Sequence, residues 1–261
     1  MKKSTPVSAI LGPDDSHVSA GHMVMPEVAQ SGNLLLAAVD PAEFEQLRDL
    51  LEPFSLRMRE TLQEAGDPSE YVYFPTSGII SLLTVLENGM MIEFATVGRE
   101  GMTGTPIILG LEESNLALVS QLPGTALRMK THHLLDAVVR LPAFAAVLKL
   151  YGGVMFAFLA QSAACNRAHN VDERLARWLL MIHDQAGGDS FRITQEFLSH
   201  MLGVSRPSVA ASASVLHRAE LIRYTRGDMT VTDRPGLEAA ACECYAVIRT
   251  QFDRLRALRG Y

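Results

Sequence analysis

Cysteine is scarce in this chain of 261 residues: there are three, Cys165, Cys242 and Cys244, and none before position 165. A framework of paired disulfides is excluded as the source of stability, and the composition suits a reducing compartment, the cytoplasm. Residues 54–128 contain neither histidine nor cysteine. The usual ligands of a metal-dependent β-barrel enzyme are therefore missing where such an enzyme would need them. No HExxH pair, nucleophile elbow or phosphate loop occurs, so the chain reads as a non-enzyme with no catalytic residues. Nothing at the N-terminus resembles an apolar signal core with a small-residue cleavage site. Lysine disappears from the second part: Ala160 to Tyr261 holds 13 Arg and no Lys against 11 Asp plus Glu, a net of +2. Since the whole chain carries −6, residues 1–159 carry −8. The positive end is where a polyanion would be met.

What is present divides into zones. Hydrophobic residues make up 48% of the chain, enough for a substantial core, and the length predicts two domains. Residues 1–32 mix Ser, Gly, Pro and His without periodicity, which predicts a disordered tail. Asp40-Pro41-Ala42-Glu43 is a helix start, with Asp as cap and Glu completing a capping box. Beyond Pro53, short apolar runs alternate with turn signals every ten to twelve residues, as in a β-sandwich or barrel. The clearest hairpin joins Ile79–Leu86 to Met90–Val97 through Glu87-Asn88-Gly89, read as a primed turn with Asn-Gly at positive φ. From Pro142 to His169 the chain is nearly free of charge. It predicts a long helix in which Val147, Tyr151, Val154, Phe158 and Gln161 form a seam for a second copy, with Gly152-Gly153 either allowing close approach or marking a kink. A membrane span is disfavoured by Gln161, Ser162 and Asn166 and by the absence of a second span. Asn170–His183 follows as another amphipathic helix, with Trp178 as core.

The most specific signal is Ile193–Ile222, two short helices joined by a tight turn. Thr194 caps the first, Gly203 makes the turn, Ser205 caps the second and Pro207 sits in its first turn. Val209, Ala213 and Leu216 form the buried stripe, leaving Arg206, Ser208, Ala211 and Ser212 outward. Leu221–Thr232 then reads as a β-hairpin turning at Gly227-Asp228. A helix-turn-helix followed by a hairpin is a winged helix, whose second helix enters the major groove of DNA. The candidate DNA-contacting residues are Thr194, Gln195, Ser205, Arg206, Ser208 and Ser212, with Arg223 and Arg226 on the wing for phosphates.

Four segments together resemble the Crp/Fnr family of bacterial transcription regulators over residues 33–245. They are Tyr71-Val-Tyr-Phe-Pro-Thr-Ser-Gly-Ile-Ile-Ser-Leu82, Val97-Gly-Arg-Glu-Gly-Met102, Val171-Asp-Glu-Arg-Leu-Ala-Arg-Trp-Leu-Leu180 and the helix-turn-helix. The resemblance implies an α+β chain: a β-roll or jelly-roll sensor over 33–141, a long dimerisation helix over 142–169, and a winged helix-turn-helix over 170–245. A helical extension over 246–261 would follow. It also implies a homodimer on double-stranded DNA with a pseudo-palindromic operator, RNA polymerase as a further candidate partner, and a small-molecule effector of unknown site. The alternative is a small-molecule-binding regulatory module that acts through protein partners.

Cyclic-AMP-binding members of that family carry Gly-Glu-Leu and, about ten residues on, Arg-Ser/Thr. Here the corresponding region is Gly101–Leu116, which has neither anchor and places Glu112 and Glu113 where a phosphate would sit. An iron-sulfur cluster is not expected either, because no cysteine lies near the N-terminus; Cys242-Glu243-Cys244 reads as a lone structural pair, and no metal or other cofactor is expected. In the reading helix the family's well-known activator has Arg, Glu and Arg where this chain has Arg206, Pro207 and Ala211. Only Arg206 is retained, which implies a different operator.

Overall fold

A computed structural model describes residues 6–11, 32–111, 115–225 and 227–257. A turn of helix, α1 (Val7–Leu11), precedes α2 (Pro41–Arg48) and the strands β1 (Glu52–Leu56), β2 (Thr61–Gln63), β3 (Tyr71–Pro75), β4 (Ile79–Val85) and β5 (Met91–Val97). The short α3 (Thr105–Ile108) leads to β6 (Leu116–Leu122), β7 (Gly124–Lys130), α4 (Thr131–Arg140) and the long α5 (Pro142–Ala168). There follow α6 (Val171–Ala186), β8 (Ser190–Arg192), α7 (Gln195–Leu202), α8 (Arg206–Arg218), β9 (Ile222–Thr225), β10 (Asp228–Val231), α9 (Arg234–Ala240) and α10 (Cys244–Ala257).

The first seven strands form two antiparallel sheets, in the orders β1-β7-β3 and β2-β6-β4-β5. Strand side chains alternate between faces, and the larger sheet uses both. Ile80, Leu82 and Leu118 point into the roll, where they meet Phe74, Met102 and Tyr151. Ile79, Leu83, Ala117 and Val119 point the other way, into a second core with Trp178, Leu179, Leu198 and Met201 of the C-terminal region. The register slips between Leu82 and Leu83, so Leu82 pairs with Ala95 and Leu83 with Glu93. This bulge changes the facing of β5: Met91 belongs to the outer core, whereas Ala95 and Val97 belong to the inner one. The two predicted domains are thus built on opposite faces of one sheet.

Helix α5 runs over Pro142–Ala168, within one residue of its predicted span. It is long and apolar enough to cross a membrane, with a mean hydropathy of 1.8 in its most apolar window, yet one side is covered by the roll. That side carries the residues predicted to pair with a second copy. Tyr151 is wholly buried, Val154 and Phe158 nearly so, Val147 is also buried, and Gln161 donates to the Cys244 Sγ at 3.0 Å. The free side is instead Ala146, Leu150, Gly153, Phe156, Ala160 and Ala163, at helical spacing. A helix this poor in charge has two apolar stripes, and periodicity alone does not say which faces home. Of the glycine pair, Gly152 packs toward Ile108 and Leu109 while Gly153 faces open space.

Three further expectations change. Residues 7–11 of the predicted tail are helical: Val7 is buried, and the Val7 and Ser8 amides donate to the Glu64 carboxylate at 2.7 and 3.1 Å. Residues 12–31 lie outside the described ones. Glu43 closes no capping box on α2; its oxygens accept from the amides of Ala143 and Phe144 at 3.1 and 2.8 Å. It thereby caps α5, whose own N-cap residue, Leu141, has no side-chain acceptor. The β4–β5 loop is three residues long, closed by Leu86 N to Met90 O at 2.9 Å, and only Gly89 in it takes positive φ.

One carboxyl sits between the sheet and the C-terminal region. Glu93 accepts from Trp178 Nε1 at 2.7 Å and from Ser81 Oγ at 2.6 Å. Desolvation pushes its pKa from 4.5 up to about 7, against the two hydrogen bonds and the Arg177 charge, which pull it down. A folded-state pKa above the ordinary value means that the folded protein holds this proton more tightly, so its stability falls as pH rises through that window. The amide in Glu93→Gln carries no such charge. The melting-temperature advantage of E93Q over the unmodified chain is expected to grow between about pH 5 and about pH 8 and then level off. Thermal melts across that range check it, and a pH-independent difference would count against the assignment.

Candidate nucleic-acid interface

Helix α6 opens with a full capping box: Asn170 Oδ1 accepts from Glu173 N, and Glu173 Oε2 accepts from Asn170 N. Leu175, Trp178, Leu179 and Ile182 are buried as predicted, making α6 the platform for the two helices behind it. Arg174, also largely buried, sends its guanidinium to the Leu202 carbonyl at the end of α7. That carbonyl is one of the unpaired acceptors at a helix C-terminus, where a cation also complements the dipole.

The turn between α7 and α8 has the predicted chemistry. Thr194 Oγ1 accepts from Phe197 N at 3.2 Å, and Ser205 Oγ accepts from Ser208 N at 3.3 Å. Gly203 has φ +63°, a left-handed conformation in which a side chain would be strained. It lies against Ile92 of β5. Arg59 of the roll donates to Thr194 Oγ1 at 3.1 Å, so that hydroxyl is already engaged on the protein side. Gln195 is half-buried at the start of α7.

Helix α8 presents Arg206, with its side chain 63% exposed, at its first turn. Its guanidinium lies 3.6 Å from the Glu196 carboxylate, itself largely exposed. Desolvation lowers the His200 pKa, with Glu196 opposing and Arg206 assisting. Ser208 is half-buried and its Oγ lies 2.9 Å from that of Ser205. Ser212, predicted to face outward, is buried at 3% exposure. The reason is spacing: Val209, Ser212, Ala213 and Leu216 follow the i, i+3, i+4, i+7 pattern of one inward face. Arg206 and Ala211 are exposed as expected, and the outward face continues through Ser214 and Arg218, with Ala210 half-buried beside it. Sequence reading missed Ser214 and Arg218, which steps of four residues from Arg206 would have found.

The wing is a three-stranded sheet in the order β8-β10-β9. Thr225 pairs with Asp228, so Asp228 belongs to strand β10 and the turn is not Gly227-Asp228. Gly227 has φ +93°, the left-handed region that favours glycine. Arg223 is exposed on β9 opposite Thr230. Arg226 lies outside the described residues.

On the sensor side, Gly101 is pressed against Tyr151 so closely that a Cβ there would overlap the phenol. The hydroxyl donates to the Met102 carbonyl at 2.8 Å, and burial raises its pKa, which leaves it a donor. Met102 and Ile107, in the segment where the family holds its cyclic nucleotide, are both buried in the roll core. Glu112 and Glu113 fall outside the described residues. Cys242 and Cys244, read as a lone pair, meet Cys165 of α5 and His169 just beyond it in space.

Residues 173–240 match the family model of the Crp-like helix-turn-helix domain. No curated protein matches the chain. Among solved structures, FixK2 from Bradyrhizobium japonicum is 19% identical with a TM-score of 0.62, covering 74% of this chain and 98% of its own. The c-di-GMP-responsive regulator CLP from Xanthomonas campestris is 14% identical with a TM-score of 0.61, covering 74% and 99%. A Crp/Fnr-family regulator from Eubacterium rectale is 15% identical with a TM-score of 0.64, covering 79% and 96%. Residues 173–240 are thus similar to the Crp-like helix-turn-helix domain, and the chain as a whole has the fold of these Crp/Fnr-type structures.

Proposed function

We propose that the chain is a cytoplasmic homodimer that reads a pseudo-palindromic operator in double-stranded DNA, with its β-roll as the input end. The observation that carries this reading is Arg206, exposed at the first turn of a capped α8. A guanidinium in that position suits the bidentate acceptor pair of guanine in the major groove. Exposed Arg218 and Arg223 supply cations for phosphates on either side.

The second copy docks along Ala146, Leu150, Gly153, Phe156, Ala160 and Ala163 of α5. Small residues at four of these six positions favour close approach of two helices, and Phe156, 74% exposed, is the large apolar group with most to gain from being covered. Two-fold pairing then sets the half-site spacing. The effector is not cyclic AMP held in the family's usual way. That view rests on the missing anchors in Gly101–Leu111 and on the apolar filling of the segment by Met102 and Ile107. Input to the roll reaches the DNA-reading domain through the shared sheet, where Glu93, Trp178 and the Ile92–Gly203 contact lie.

Gel-shift titration of the full chain on DNA from its own upstream region should give salt-sensitive binding. Arg206→Ala is expected to cost about 1–3 kcal/mol and to relax preference at one base pair per half-site. Equal weakening on every sequence would make it a phosphate contact instead, and no binding by the intact dimer would sink the DNA reading in favour of a protein partner. For the dimer, Phe156→Glu should cost about 2 kcal/mol or more, roughly a thirtyfold rise in the dissociation constant by sedimentation. An unchanged dimer would place the interface elsewhere.

A further inference from the structure

Four side chains that no part of the DNA-reading machinery uses converge where α5 meets the α9–α10 junction. They are Cys165 near the end of α5 and His169 just beyond it, and Cys242 and Cys244, one residue apart before and at the start of α10. One ligand atom from each lies within 4.8 Å of every other, and the three cysteines are buried. Cys165 Sγ is 3.5 Å from Cys242 Sγ, and Cys244 Sγ is 3.6 Å from His169 Nδ1.

We propose that these residues form a structural Cys3His site for one zinc ion. A tetrahedral ion with Zn–S near 2.3 Å and Zn–N near 2.0–2.1 Å sets its ligands about 3.8 Å apart for S–S and about 3.6 Å for S–N. The Cys165–Cys242 and Cys244–His169 separations, 3.5 and 3.6 Å, lie close to these values, and every other pair falls within 4.8 Å. Four ligands close the coordination shell, which is the arrangement of a structural and not a catalytic zinc. Three thiolates and an imidazole are also the soft set that selects zinc over magnesium or calcium. An iron-sulfur cluster fits less well, since its irons and sulfides separate the cysteines more widely than a single shared ion does.

The surroundings are built in the same sense. His169 Nε2, the ring nitrogen left over when Nδ1 binds, lies 3.1 Å from the Glu243 carboxylate. A carboxylate on the far nitrogen fixes the tautomer and orientation of a metal-bound imidazole. Gln161 Nε2 donates to Cys244 Sγ at 3.0 Å, as an amide does to a thiolate. Arg174 and Arg177 are largely buried with their Nε atoms unpartnered, and their charges act on Cys165. Three thiolates and one Zn2+ leave a net charge of −1, which those guanidiniums balance. Binding replaces the thiol protons, which pass to solvent, so affinity rises with pH. The ion would tie the end of the connecting helix to the exit of the winged domain.

The test uses the reduced full-length chain, stripped by a chelator, gel-filtered and titrated with Zn2+ and, in parallel, Co2+. The expected result is one tightly held equivalent of zinc, a rise in melting temperature, and a thiolate-to-cobalt charge-transfer band with intense tetrahedral visible absorption. Cys242→Ser should lose both the tight zinc and the charge-transfer band. Because a buried cysteine variant is able to misfold, Glu243→Gln is the second arm: exposed and foldable, it should bind zinc about 10–100-fold more weakly. The proposal is overturned if the folded wild-type chain retains well under one equivalent of zinc, or if cobalt binds without thiolate charge transfer. Wild-type zinc affinity in both a folded C242S and E243Q would overturn it equally.

Discussion

The four-stranded sheet β2-β6-β4-β5 has no face left for solvent, and most of the architecture follows from that. A strand that buries alternate residues on two different cores has to be mostly apolar, and β4 is: its first five residues, Ile79 to Leu83, are all buried, and the single polar one among them, Ser81, gives its hydroxyl to Glu93. An ordinary antiparallel sheet with one wet face would read as apolar and polar in turn. The outer face of this sheet supplies the base on which α6 and α7 rest, so α8 is positioned by the strands of the roll as much as by its own domain. Glu93, a titratable group placed there, is held by an indole and a hydroxyl in place of water. A polar group at such a junction is costly to leave unpaired, which ties the two halves to a single relative arrangement.

Helix α5 meets a related demand from three sides. Its first turn borrows a cap from Glu43, its middle locks on to the roll through Tyr151, and its end carries Cys165 beside α10. Gly101 is the small residue that lets the phenol in. The loop at 98–104 and the connecting helix therefore cannot shift independently: a movement of the loop that held Tyr151 in place would drag the helix with it.

The helix-turn-helix was the most legible part of the sequence because its signals are local. Caps at Thr194 and Ser205, the left-handed Gly203 and Pro207 in the first turn each act within a few residues, so no knowledge of the rest of the chain was needed. The β-roll was legible as alternating runs and turns, but not that its larger sheet serves two cores. Which side faces home was legible for α6 and for the apolar stripe of α8, but not where two faces look alike. The stripe Val147 to Gln161 and the free stripe Ala146 to Ala163 have the same period and nearly the same polarity, and only the neighbouring roll distinguishes them. Ser212 looked polar and therefore outward, yet its spacing from Val209 outweighs a single hydroxyl. Glu43 had the right distance for its own helix and a better acceptor role a hundred residues away. The cysteines near the C-terminus gained their partners from α5, across more than seventy positions of chain, where no spacing rule reaches.

The contact between Arg206 and Glu196 has a consequence for how the protein would travel along DNA. Both side chains stand largely in solvent, so their attraction is weak and easily exchanged. It nevertheless places a negative charge beside the leading cation, in a chain whose total is −6. A tip neutralised in this way draws little on the uniform field of the phosphates, which rewards any sequence alike. On the proposed reading its donors would remain for base edges, which reward only some. Residence on arbitrary sequence would then be shortened relative to the matched site, and discrimination gained at the expense of capture.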